Sequence, residues 1–162
     1  MSDDFVTALG PAFTAHRMRR LSDAFVESCG AWLAQQGVIA PPRSVSTLRL
    51  LAAESPLSVT EVAARIRLSH PFIVRTLGEL EQLGLVEVSR DDKDRRRRLV
   101  ALTGKGAAEV RLLEHTAEPL AAAYVSLFSD AGVDLTAALD ALEAAHSRRS
   151  LADRLPSPSN RG

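Results

Sequence analysis

The feature that most restricts this chain lies between Ile73 and Thr103, where helical spacing gives way to alternation and then returns. Ile73, Leu77, Leu80 and Leu83 recur at three- and four-residue intervals, one face of a helix, and Gly84 supplies the left-handed residue that closes it. Leu85-Val86-Glu87-Val88 and Leu99-Val100-Ala101-Leu102 then read as two short strands around Ser89-Arg90-Asp91-Asp92-Lys93-Asp94-Arg95-Arg96-Arg97-Arg98. Two apolar strands flanking a charged loop predict a β-hairpin with a long, exposed, cationic tip. A helix must hand over directly to that hairpin.

The caps upstream tighten the picture. Ser58-Val59-Thr60-Glu61 is a capping box, in which a Ser hydroxyl accepts from the Glu amide while the Glu side chain reaches back, and it predicts a short helix from Val59 to about Ile66. Ser69 is the next cap, with Pro71 in a first turn where a missing amide proton costs nothing. Two helices joined by so short a turn cross steeply. Before them, Met18, Leu21, Phe25, Cys29 and Trp32 line one face of a helix within residues 12–36, ended by Gly37. Pro41 and Pro42 precede a second helix carrying Leu48, Leu51 and Ala52 as far as Glu54, and Pro56 closes it. After the hairpin, Thr103 caps a long Ala/Leu-rich helix running past Pro119 toward Phe128, and Ala131-Gly132 separates it from a last helix around Leu135 to Ser147.

The predicted fold is mainly α with a small β-hairpin wing, a winged helix-turn-helix with helices on both sides. The expected organisation is a single integrated unit: an amino-terminal helix within 1–40, the winged helix-turn-helix within 41–103, carboxyl-terminal helices within 104–150 and a mobile tail over 151–162. An aromatic fraction of 4% leaves Ala, Leu and Val to fill the core. No stretch approaches the roughly 18 apolar residues of a membrane span, and Asp3 and Asp4 beside Met1 do not resemble the basic start of a signal peptide. A cytoplasmic location is expected. The single cysteine, Cys29, excludes an intrachain disulfide.

Net charge is zero, but its distribution is uneven. Residues 65–111 hold eleven Lys plus Arg against seven Asp plus Glu, a net of +4, and the remainder holds nine against thirteen, a net of −4. A basic middle in an acidic frame suits a protein that holds phosphates on one surface and stays soluble by the other. In a winged helix-turn-helix the second helix of the pair enters the major groove by its amino-terminal half, here Ser69-His70-Pro71-Phe72-Ile73-Val74-Arg75. Arg75 lies opposite the apolar stripe and is the candidate for a base or phosphate contact. His70 is a candidate donor to a base or phosphate. Phe72 reads equally as a contact to a thymine methyl or as core.

Gly84-Leu85-Val86, then Asp94-Arg95-Arg96, then Leu102-Thr103-Gly104-Lys105-Gly106 resemble the wing signature of MarR-type regulators, with the family's spacing from the Asp to the Leu-Thr, and the likeness covers nearly the whole chain. The resemblance implies a symmetric homodimer built from the first, fifth and sixth helices, a pseudo-palindromic operator in double-stranded DNA and a repressor, often released by a small-molecule effector or a redox signal. It also assigns Asp94 and Arg96 to the family's Asp-x-Arg, whose acid orients an arginine into the minor groove. The chemistry agrees, since a guanidinium is flat, always charged and suited to a narrow groove of negative potential. Arg95, Arg97 and Arg98 add phosphate neutralisation. A solvated charge run is the competing account of the same residues. Val74 departs from the common pattern, which has a small hydroxyl residue before the arginine.

Cys29 lies on the apolar stripe with Phe25 and Trp32, which fits a structural thiol better than a redox sensor. His16, His70, His115 and His146 lack ligand spacing, so neither metal nor cofactor is expected. Trp32 and Phe128 are candidates for a ligand pocket or for packing, and no effector site is assigned. Two rival functions remain. One is a winged-helix protein-interaction module without specific DNA binding. The other, an enzyme, is not expected: Gly104-Lys105-Gly106 lacks the upstream glycine and the following Ser or Thr of a phosphate loop, and no nucleophile elbow is present.

Overall fold

The capping box forms as its residues dictate. In the computed structural model, which describes residues 4–90 and 97–156, the Ser58 hydroxyl accepts from the Glu61 amide at 3.3 Å and the Glu61 carboxylate accepts from the Ser58 amide at 2.8 Å. Helix α4 (Val59–Ile66) follows and closes on Arg67, a non-glycine residue in the left-handed region at φ 59°. Ser69 then caps α5 (His70–Gln82), accepting from the Phe72 amide at 3.4 Å, with Pro71 in the first turn. At its far end Gly84 has φ 70°, and the Gly84 and Leu85 amides donate to the Glu81 and Leu80 carbonyls, both at 2.9 Å. That pair of bonds satisfies the last carbonyls of α5 and reverses the chain.

Three more helices precede this pair: α1 (Phe5–Ala8), α2 (Thr14–Gln35) and α3 (Val45–Glu54). The first was not expected. Asp4 caps it, accepting from the Val6 amide at 3.0 Å, and also takes a 2.5 Å hydrogen bond from Arg20 on α2. The Arg20 guanidinium holds the Asp4 carboxyl well below the usual carboxylate range, helped by the Thr7 hydroxyl.

The strands form a three-stranded antiparallel sheet in the order β1-β3-β2, from β1 (Leu57–Ser58), β2 (Val86–Arg90) and β3 (Arg98–Leu102). The expected hairpin is therefore present and the strand β1, which pairs Leu57 with Val100 and Ser58 with Leu99, is additional. The strand after α5 also starts one residue later than the alternation suggests, because the Leu85 amide is spent on closing the helix.

Leu48 and Leu51 of α3, Val62 of α4, Ile73 and Leu80 of α5, Leu85 and Val100 are at most 1% exposed and form one core with Leu33, Val38, Leu77, Val86, Val110 and Leu113. The last two lie on α6 (Gly104–Asp130). Its buried Glu109 accepts from the Ile39 amide at 2.6 Å and the Ala40 amide at 2.7 Å, which fixes the chain between α2 and α3.

The chain divides into two compact units, Met1–Glu118 and Pro119–Gly162, at the proline inside α6. The second unit holds the end of α6, α7 (Leu135–Arg148) and a 3-10 turn at Ala152–Arg154. Asp134 caps α7, accepting from the Ala137 amide at 2.9 Å, and Tyr124 meets Phe128 with ring centroids 5.8 Å apart. No described residue of this unit is buried.

Candidate nucleic-acid interface

Helix α5 has a clear inside and outside. Ile73, Thr76, Leu77 and Leu80 are buried, whereas Ser69, His70, Pro71, Val74, Arg75 and Glu79 are exposed. Phe72 is half-buried and packs against the core. The outward apolar position of the first two turns belongs instead to Val74, 49% exposed, which the sequence marked only as a departure from pattern. Arg75 has no hydrogen bond or ion pair among the described residues, and neither does Arg67 in the turn between α4 and α5. The amino terminus of α5 presents the positive end of the helix dipole, and Arg67 before it and Arg75 in its second turn are exposed, features that favour an anion.

The described part of the wing is its paired stem, β2 and β3, with Arg97 before β3. Asp94, Arg95 and Arg96 lie outside the described residues. Arg97, assigned from sequence to phosphate, forms an ion pair with Glu61 of the α4 capping box. Glu61 is consequently held down from its ordinary 4.5 to about 2, first by the Ser58 amide, then by the Arg97 guanidinium and the Ser58 hydroxyl. One carboxylate therefore both caps α4 and ties the root of the wing to it. The link joins residues 36 apart in sequence, and no local pattern signals it.

The residues after the wing secure the exit of α5. Thr103 accepts from the Gly106 amide at 3.0 Å and donates to the Gly84 carbonyl at 2.7 Å, while Lys105 donates to the Leu83 carbonyl at 2.8 Å. A Cβ on Gly106 would lie 1.9 Å from the Leu85 carbonyl oxygen, so only glycine allows α6 to start this close to the end of α5. Thr103-Gly104-Lys105-Gly106 is a clamp between the end of α5 and the start of α6. The lysine neutralises the negative helix end.

Elsewhere, Trp32 is half-buried against the core and Cys29 is half-buried on α2. Among the described residues no group of three or more His, Cys, Asp or Glu is placed to hold a metal ion, and no helix is long and apolar enough to cross a membrane.

The model of the MarR family matches residues 41–97, from the prolines before α3 to the residue before β3. No curated protein matches the sequence. The fold resembles that of S. aureus MepR in a DNA complex, with a TM-score of 0.66 at 20% identity over 81% of this chain and 96% of that one. It also resembles PcaV, a transcriptional regulator from Streptomyces coelicolor in complex with its natural ligand, with a TM-score of 0.65 at 20% identity over 93% and 99% of the two chains. The transcriptional repressor CouR bound to a 23-mer DNA duplex is similar at 28% identity, with a TM-score of 0.59 over 82% of this chain and 91% of that one. Residues 41–97 are thus similar to the MarR family, and the fold, helix, tight turn, helix and paired wing strands, is the winged-helix fold of these solved structures.

Proposed function

We propose that the chain is a sequence-specific DNA-binding repressor that acts in the cytoplasm as a homodimer on a pseudo-palindromic operator, with α5 in the major groove and the wing against the adjoining minor groove. The observation that carries this reading is Arg75, exposed on the outward face of α5, opposite buried Ile73, Leu77 and Leu80, and committed to no partner within the described residues. Ser69, His70 and Pro71 flank it at the amino terminus, with Phe72 setting how the helix sits on the core. Asp94, Arg95 and Arg96 complete the surface from the wing, and Arg97 reaches phosphate only by exchanging Glu61 for it. The ordered domain roles are those expected from sequence: reading DNA by 41–103, pairing by the helices within 1–40 and 104–150.

Two further elements follow. A second copy is the natural cover for the apolar side chains that the chain leaves in solvent, among them Met18 and Leu21 on α2 and, in the carboxyl-terminal unit, Val125, Leu139 and Leu142. Release by a small-molecule effector is proposed by likeness to PcaV, which is described with its natural ligand. No enzymatic activity is proposed. The experiment is selection of bound fragments from sheared genomic DNA by the purified protein. Enriched fragments should share inverted repeats about one helical turn apart, and enrichment no different from random DNA would end the reading.

A further inference from the structure

The outer side of α5 follows one period. Pro71, Val74, Arg75, Gly78 and Gln82 recur at three- and four-residue intervals, opposite the buried stripe of Ile73, Thr76, Leu77 and Leu80. Arg75 is the one charge in that outer stripe, and the exposed acids Glu79 and Glu81 stand on its two flanks in the second half of the helix.

Two of these residues run against local preference. Val74 is an apolar side chain left 49% exposed. Gly78 lies in the middle of a helix, where glycine is markedly less favourable than alanine. Nothing inside the protein asks for it. Unlike Gly84 it is not in the left-handed region, and unlike Gly106, whose Cβ would strike the Leu85 carbonyl, a Cβ on Gly78 would meet nothing within 4 Å. The close approach that a bare backbone permits is therefore made from outside the chain. Val74 and Gly78 are neighbours one turn apart on the helix surface, so together they make a shallow apolar notch beside the Arg75 guanidinium.

A notch without a side-chain donor or acceptor restricts what can fill it. Of the groups that base pairs present in the major groove, the only alkyl group is the C5-methyl of thymine, and the others donate or accept hydrogen bonds. A polar group buried against Val74 would give up its water without gaining a partner. The surrounding charge suits the same occupant. Arg75 and the positive end of α5 draw phosphates toward the first two turns, and Glu79 and Glu81 repel them from the last.

We propose that Val74 and Gly78 receive the 5-methyl group of a thymine, Val74 packing against it and the bare backbone at Gly78 letting that edge of the base pair come close. The notch rests on the DNA-binding reading above and deepens it, naming the base chemistry that sets sequence preference. The thymine contact that the sequence offered to Phe72 passes to Val74, because Phe72 is half-buried against the core.

The test is fluorescence anisotropy of the full-length protein on a selected fragment whose thymines are replaced, one symmetry-related pair at a time, by deoxyuridine, which lacks only the methyl. At one pair the parent protein should lose about 4-fold in affinity per half-site, the worth of one buried methyl. V74A should bind the unmodified fragment about 4- to 10-fold more weakly per half-site and lose nothing further at that pair. G78A should unfold at a higher temperature than the parent protein, because alanine suits a helix better, yet bind the fragment about 10-fold more weakly or worse, because its methyl fills the notch. The absence of a sensitive pair, a loss that persists in V74A, or full affinity in G78A overturns the notch, while a parent protein that still prefers the fragment to random duplex upholds the reading beneath it. Equal binding of both duplexes by the parent protein overturns both.

Discussion

The winged-helix core and the carboxyl-terminal unit are made of similar residues and finished differently. From α3 to β3 the chain completes its own interior, with Leu48, Leu51, Val62, Ile73 and Leu80 fully buried. In the unit from Pro119 onward, Val125, Leu127, Val133, Leu139, Leu142, Leu151 and Leu155 are all exposed and no described residue is buried. Apolar side chains recover about 1.5–3 kcal/mol each on full burial, so seven left in water are a large unmet driving force. The difference teaches that one region specifies its structure alone and the other depends on something outside it, which we propose is a second copy.

The sharpest way to break that contrast is to charge the exposed face. L139E/L142E should weaken dimerisation at least 100-fold, since carboxylates would be buried without partners. Sedimentation velocity should show a monomer that keeps the cooperative urea unfolding of the winged-helix core. A parent protein that is monomeric at micromolar concentration, or a variant that remains dimeric, would remove the basis of the contrast.

Inside the core, the largest single effect is expected at Glu109. E109A strips the partner from the Ile39 and Ala40 amides and should cost about 2–3 kcal/mol in urea unfolding. A cost under about 0.5 kcal/mol would mean that the loop between α2 and α3 is held by other means. S58A should cost about 1 kcal/mol, the worth of an amino-terminal cap. The capping box also carries a pH signature. Glu61 has its carboxyl held at about 2 against an ordinary 4.5, so the stability it contributes is present above pH 4.5 and is lost as pH falls toward 2. E61Q should flatten that part of the acid limb of the stability curve, and an unaltered limb would deny that the Ser58 amide and Arg97 hold the Glu61 carboxylate. The smallest effect is expected at Thr47, fully buried with a hydroxyl that has no partner within the described residues. T47V should raise stability by up to about 1 kcal/mol, and a clear loss would reveal a hydrogen bond on that hydroxyl.

These sites also mark what a sequence can convey. Ser58, Ser69 and Gly84, and Thr103 toward Gly106, act on residues within a few positions of themselves, so caps and helix boundaries are legible, and α4 runs over the predicted Val59–Ile66. The cap at Asp4 is equally local, but α1 has only four residues, too few to show a helical stripe. Strand β1 is two residues long, and it exists because Leu57 and Ser58 meet Val100 and Leu99, some forty residues away. Glu109 with Ile39 and Ala40, and Glu61 with Arg97, are tertiary in the same sense. The candidate surface was legible as a segment, Ser69 to Arg75 and the wing, but which of its arginines are committed within the protein was not. That partition follows from strand register and from an acid on another helix.

The central claim is that the outward face of α5 reads DNA, and R75A tests it most directly. Fluorescence anisotropy at fixed salt should show the parent protein binding a selected operator fragment well above random duplex, and R75A losing about 1–3 kcal/mol on that fragment while its fold and dimerisation are unchanged. Equal binding of both duplexes by the parent protein, or full operator affinity in R75A, would contradict the account.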